Sequence, residues 1–234
     1  MKHLIEWRLF ESSKEHIESI CKKFVIKNWT LNEDGSIDVD GDVELFFKRL
    51  YKLPLKFRNV SGDFDCSFNN ITSLEGSPES VGRIFDCSYN NLTSLEGSPK
   101  SVSGNFRCSY NKLTSLEGSP KSLSGNFWCD NNNLTSLGGS PKSVGGNFDC
   151  SNNNITSLEG APESIRDQFY CKLNPVYQIW NLFEDKDKIE FFNDLDIIRG
   201  KSIVLNRLIY FLDVIGKPRT KEELRELIKD YTFI

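Results

Sequence analysis

The stretch LTSLEGSPKSVSGNFRCSYNK, residues 92–112, is one copy of a unit that returns every 21 residues between Val60 and Asn174. Cys66, Cys87, Cys108, Cys129, Cys150 and Cys171 keep that interval. A phenylalanine stands two residues before each cysteine, from Phe64 to Phe169, and an asparagine three residues after, from Asn69 to Asn174. Aliphatic residues follow at plus five and plus eight, beginning with Ile71 and Leu74. A fixed period of this length predicts a solenoid, in which each repeat is one coil and stacked neighbours bury a continuous core.

Within a coil, Gly-x-Phe-x-Cys reads as a short parallel strand. Alternation sends Phe and Cys inward and the residue between them outward. The asparagine sits where the chain leaves the strand, and its amide can satisfy the backbone groups of a buried turn. Leu-Thr-Ser-Leu closes the core. Glu-Gly-Ser-Pro-Lys-Ser is too short and too rich in Gly and Pro for a helix, which predicts an extended or turn-like return. The core F-x-C-S-x-N-x-L-T-S-L resembles the leucine-rich repeat L-x-L-x-x-N-x-L-x-x-L, with Phe and Cys in two leucine positions. The resemblance implies an α/β repeat solenoid: a leucine-rich-repeat horseshoe with a parallel sheet on its concave face.

The flanks divide the chain into three parts. Residues 1–38 predict an N-terminal cap. Ser12-Ser13-Lys14-Glu15 is a capping-box pattern for a helix over about 13–24, and strands around Asp34-Gly35 form a hairpin. Residues 39–175 hold one degenerate coil and six full ones. In the degenerate coil Lys48 replaces the asparagine, and Lys48, Arg49, Lys52, Lys56 and Arg58 read as a solvated basic face. Residues 176–234 predict a helical C-terminal cap: a helix after Pro175, apolar-periodic stretches over Ile189–Ile198 and Ile203–Ile215, and a helix opened by the capping box at Thr220-Lys221-Glu222-Glu223.

Composition excludes several classes. Residues 60–175 contain eight basic and twelve acidic side chains and so carry the whole net charge of −4, which argues against a nucleic-acid surface. No signal peptide is read at the start and no apolar run reaches about 18 residues, so no membrane partner is expected and the location is read as cytoplasmic. Six of the seven cysteines fall in one buried column as small hydrophobes with parallel Cβ vectors, which predicts reduced thiols. The only histidines are His3 and His16, so no catalytic triad, zinc site or phosphate loop can be assembled. The Asp-Cys-Ser-x-Asn-Asn strings look like calcium ligands, but their second-to-last asparagine is an inward position. The expectation is a protein that is not an enzyme, with no catalytic residue, cofactor or metal.

The units ITSLEGSPESVGRIFDCSYNN (71–91) and LTSLEGSPKSVSGNFRCSYNK (92–112) are similar to short leucine-rich repeats encoded by tailed bacteriophages and some bacteria. DGSIDVDGDVELFFKRLYKLPLKF before the repeats and NPVYQIWNLF after them resemble the borders seen there, so the likeness spans roughly residues 31–216. It implies a solenoid that binds another protein; in a phage, interference with a host (defence) protein is the natural role. A second resemblance is to secreted bacterial effectors with 20–22-residue repeats, some fused to a ubiquitin ligase. No cysteine follows Cys171, which removes the ligase. A scaffold, or a nucleic-acid or glycan binder using the aromatic column, are the alternatives.

Two outward columns vary from coil to coil and therefore carry the candidate partner site. Between Phe and Cys they read Asp65, Asp86, Arg107, Trp128, Asp149 and Tyr170. Two residues after each Cys they begin Phe68, Tyr89 and Tyr110, preceded by Phe47. Trp and Tyr beside charges compose interface hot spots. The competing expectation for the second column is an aromatic ladder along the sheet edge.

Overall fold

The computed structural model describes residues 14–234 and is a parallel β-solenoid. The capping-box serines Ser12 and Ser13 lie outside the described residues; the helix they precede, α1, covers 14–24. A hairpin follows, β1 (Trp29–Leu31) against β2 (Ile37–Val39), turning at Asp34-Gly35 as expected.

Each coil then contributes two short strands rather than one. The first set comprises β3 (Val43–Glu44), β5 (Phe64–Asp65), β7 (Phe85–Asp86), β9 (Phe106–Arg107), β11 (Phe127–Trp128), β13 (Phe148–Asp149) and β15 (Phe169–Tyr170), in one seven-stranded parallel sheet. The second set begins with β4 (Phe57–Val60) and continues through the Ser-aliphatic pairs: β6 (Ser80–Val81), β8 (Ser101–Val102), β10 (Ser122–Leu123), β12 (Ser143–Val144) and β14 (Ser164–Ile165). With the hairpin they make an eight-stranded sheet. The Glu-Gly-Ser-Pro-Lys-Ser segment, expected to be extended or turn-like, turns at Glu96-Gly97 and enters the second strand only at its last residue, Ser101. Both sheets pair residues one full period apart, Phe106 with Phe127 and Ser122 with Ser143.

The core lies between the two sheets. Phe64, Phe85, Phe106, Phe127, Phe148 and Phe169 form an internal stack with ring centroids 5.2–5.7 Å apart. Phe57 meets one end at 5.1 Å and Trp180 the other at 4.8 Å. The cysteine column is buried beside it; its six thiols, and that of Cys21 in α1, are free. Cys87, Cys108, Cys129 and Cys150 donate to the backbone carbonyl one coil on at 3.3–3.4 Å.

The asparagine column behaves as its position requires. Asn111 Nδ2 donates to the carbonyls of Cys87, Cys108 and Ser109, and its Oδ1 accepts from Leu92 N–H at 3.0 Å. At the start of the ladder Asn69 Oδ1 accepts both Lys48 N–H and Leu50 N–H, so it serves the degenerate coil, where Lys48 takes the ladder asparagine's place. Glycine is required in the Glu-Gly-Ser-Pro turn: Gly118 has φ +95°, and a Cβ there would lie 2.6 Å from the Leu95 carbonyl oxygen.

Beyond Asn174 come α2 (Tyr177–Phe183), a 3-10 turn (Lys186–Lys188), α3 (Ile189–Asp194), α4 (Leu205–Val214) and α5 (Lys221–Leu227). The Thr220 capping box is formed in both directions. Two of the expected helices are shorter than their apolar runs. Ile198–Arg199 (β16) and Ser202–Ile203 (β17) leave the helical pattern to form a hairpin, and Thr232–Phe233 (β18) joins it as a third strand. A single hydrophobic cluster extends from Ile17 in α1 to Tyr231. No helix among the described residues is long and apolar enough to cross a membrane.

Candidate partner-binding face

The outward residues of the Phe-x-Cys sheet make two columns with different physics. In the column two residues after cysteine, Phe47, Phe68, Tyr89, Tyr110, Asn131, Asn152 and Leu173 all have φ between 53° and 57°. Asparagine adopts this left-handed conformation readily; aromatics and leucine do so at a cost of about 1 kcal/mol or more. The aromatics recover it by stacking. Phe47–Phe68, Phe68–Tyr89 and Tyr89–Tyr110 have centroids 4.4, 4.1 and 4.2 Å apart and planes within 15°. Asn152 continues the column by donating its amide to Asn131 Oδ1. The expected aromatic ladder is therefore present; it covers both ring faces of Phe68 and Tyr89 and one face of Tyr110, and the three residues remain about 40–45% exposed.

In the column between Phe and Cys, the three aspartates are tied to local structure. Asp65, Asp86 and Asp149 accept the backbone N–H of Ser67, Ser88 and Ser151 at 2.9 Å, closing the turn that leads into the left-handed residue. Variation in this column is thus only partly free of packing, contrary to the sequence expectation. Arg107, Trp128 and Tyr170 lack that bond and stand outside the turn chemistry. Tyr170 lies exposed on β15, the last strand of this sheet.

Seven of the nine candidates come together. Phe68, Asp86, Tyr89, Arg107, Tyr110, Trp128 and Asp149 line one open groove of about 470 Å³, with Asp130 added. At its centre the Arg107 guanidinium stacks 4.7 Å from the Trp128 ring centroid, and its Nη1 lies 3.5 Å from Asp86 Oδ2. Arg107 Nε is buried without an acceptor among the described residues. Burial is the main influence raising the Asp86 and Asp149 carboxyls above the ordinary aspartate value; Asp65 adds to it at Asp86 and Asp130 at Asp149. Asp65 falls into an adjoining groove with Asp42, Glu44, Phe46 and Asp63, and Asp86 and Arg107 belong to both.

No family model, curated protein or solved structure matches the chain.

Asp130 is the residue that sequence reasoning missed. It stands where Ser67, Ser88, Ser109 and Ser151 stand in other coils, and it accepts a hydrogen bond from Ser109 Oγ. Its signal was a departure, one residue after Cys129, from a column that is serine in four of the six coils and lysine, Lys172, in the last. Among the described residues no group of three or more His, Cys, Asp or Glu is arranged to hold a metal.

Proposed function

We propose that this protein is a binding module of leucine-rich-repeat type, and that another protein docks across the Phe-x-Cys sheet, its concave face, centred on Trp128. The observation that carries this reading is the cluster of Arg107, Trp128 and Asp130. It gathers into one groove two residues that stand where other coils carry a turn-closing aspartate and one that stands where most coils carry serine, and it places a tryptophan and an arginine, both common hot-spot residues, side by side. Packing regularity requires none of the three.

The stacked geometry favours a protein over a nucleic acid or a glycan. Bases and sugars bind aromatic side chains through ring faces. Here the faces of Phe68 and Tyr89 are covered by their neighbours, and one face of Trp128 is taken by Arg107. The adjoining acidic residues repel phosphate. The phage-type resemblance makes a host protein the first partner to look for, and the elements flanking the coils act as caps.

Wild type and Trp128→Ala should be compared in pull-downs from a bacterial lysate, with and without nuclease. A partner retained by wild type despite nuclease, and weakened by about 2 kcal/mol or more in Trp128→Ala, is expected. Equal retention by both places the site elsewhere, with the C-terminal helices next.

A further inference from the structure

Along the sheet, Asp86, Arg107, Trp128 and Asp149 are register neighbours, one per coil. On one side of the indole the sequence of groups is complete: carboxylate, guanidinium, ring. On the other side it is not. Trp128 is followed by Asp149, with Asp130 two residues along its own coil, and no cation lies between. Among the described residues Asp86 has Arg107 as an ion-pair partner, whereas Asp130 and Asp149 have none. The adjoining groove adds Asp42, Glu44, Asp63 and Asp65; Arg83 pairs with Asp42 and Asp63 at 4.0 and 3.4 Å, leaving Glu44 and Asp65 without an ion-pair partner among the described residues, and Arg107 is the only cation among them lining either groove.

We infer that the partner presents a basic, extended polypeptide segment to this face, and that one of its Lys or Arg side chains seats against Trp128 between Asp130 and Asp149, as Arg107 seats between Trp128 and Asp86. This rests on the docking reading above and adds the partner's chemistry to it. Three features support it. The two grooves join into a strip along which acidic side chains far outnumber basic ones, so the complementary surface is cationic. Arg107 displays the recognition mode within the molecule itself, a guanidinium on an indole face beside a carboxylate. The ring edges of Phe68, Tyr89 and Tyr110 supply an apolar wall for the aliphatic stems of lysine or arginine. The raised carboxyls of Asp86 and Asp149 agree, since an added cation relieves a buried and crowded negative charge.

The test titrates the full chain with an (Arg-Ser)4 peptide, a (Glu-Ser)4 peptide and an oligothymidylate of eight nucleotides. Three proteins are compared: wild type, the double variant D130N/D149N, and the double variant E96Q/E117Q, which removes the same charge from exposed turns off this face. The amide introduced by D149N keeps an oxygen that accepts the Ser151 N–H, so the turn is retained; near-ultraviolet circular dichroism checks the fold. The expected result is that (Arg-Ser)4 binds wild type and loses about tenfold or more in D130N/D149N but no more than about twofold in E96Q/E117Q. Equal losses in the two variants, or preference for the acidic peptide or the oligonucleotide, overturn the inference. With the captured partner, loss in Trp128→Ala but full retention in D130N/D149N overturns the basic-segment inference alone. Retention by both variants overturns the docking reading and this inference with it.

Discussion

Tyr89 and Tyr110 stack with ring centroids 4.2 Å apart and planes 8° apart, although each has its backbone in the left-handed region at φ 55°. The ladder and the backbone strain are two halves of one arrangement. The left-handed turn points every side chain of this column the same way, and the stacking offsets what that turn costs a residue with a Cβ.

Replacing Tyr110 separates the two effects. Tyr110→Ala loses the stack, worth about 0.5–1.5 kcal/mol, and keeps the strain. Tyr110→Asn loses the same stack but relaxes the backbone, by about 0.5–1 kcal/mol, as Asn131 and Asn152 do in later coils. Urea unfolding should find Tyr110→Asn more stable than Tyr110→Ala. The reverse order would remove backbone strain from the account.

Asn111→Ala should destabilise by about 1–3 kcal/mol, because the Leu92 N–H and the Cys87 carbonyl lose a buried partner. Asn111→Asp should cost more, since it turns a carboxylate oxygen towards the carbonyls of Cys87 and Cys108. Thermal melts of the two variants check the order, and an aspartate as stable as the alanine would contradict the ladder.

The thiols should be inert while the fold persists. Burial pushes the Cys87, Cys108, Cys129 and Cys150 thiols well above their ordinary value, and that of Cys21 to about 11. Alkylation is therefore expected only after denaturant is added, and melting should be insensitive to reductant. Cys108→Ser, which can still donate to the Trp128 carbonyl, should cost less than Cys108→Asp. Rapid labelling of native protein would mean the column opens.

The Asp149 carboxyl, raised by burial, sets a pH dependence. A carboxyl with a raised folded pKa binds its proton more tightly in the folded state. Its contribution is therefore complete below the ordinary value of 3.8 and is lost as pH rises through the folded pKa. Asp149→Asn keeps the turn and removes the titration. Its melting temperature relative to wild type should improve as pH rises from the ordinary value of 3.8 through the raised folded pKa, and level off above it. A constant offset over that range would show that Asp149 does not titrate abnormally.

The period of 21 was enough to determine the coil, the inward Phe, Cys, Leu and Asn columns, and the hairpin at Asp34-Gly35 was legible from its own turn. Those columns repeat because each buried position sees the same neighbours in every coil, and packing leaves few residues that fit. The Thr220 helix was legible as well, because a capping box is a local exchange of hydrogen bonds. Other features depended on groups far apart in the chain. The Ser-aliphatic strands are two residues long and exist only because the next coil supplies their hydrogen-bond partners, 21 residues away. Ile198–Arg199 and Ser202–Ile203 left the helical pattern to pair with each other, and Thr232–Phe233 returns from about 30 residues on to pair with Ser202–Ile203. Outward aspartates looked free in the sequence, yet Asp65, Asp86 and Asp149 close turns. Arg107, Trp128 and Asp130 are drawn from two coils and two columns, and only the stacking of those coils brings them into one groove. The sequence by itself determined what is buried, since burial repeats. What the surface gathers at one place was decided by the tertiary structure, because no local rule links residues on successive coils.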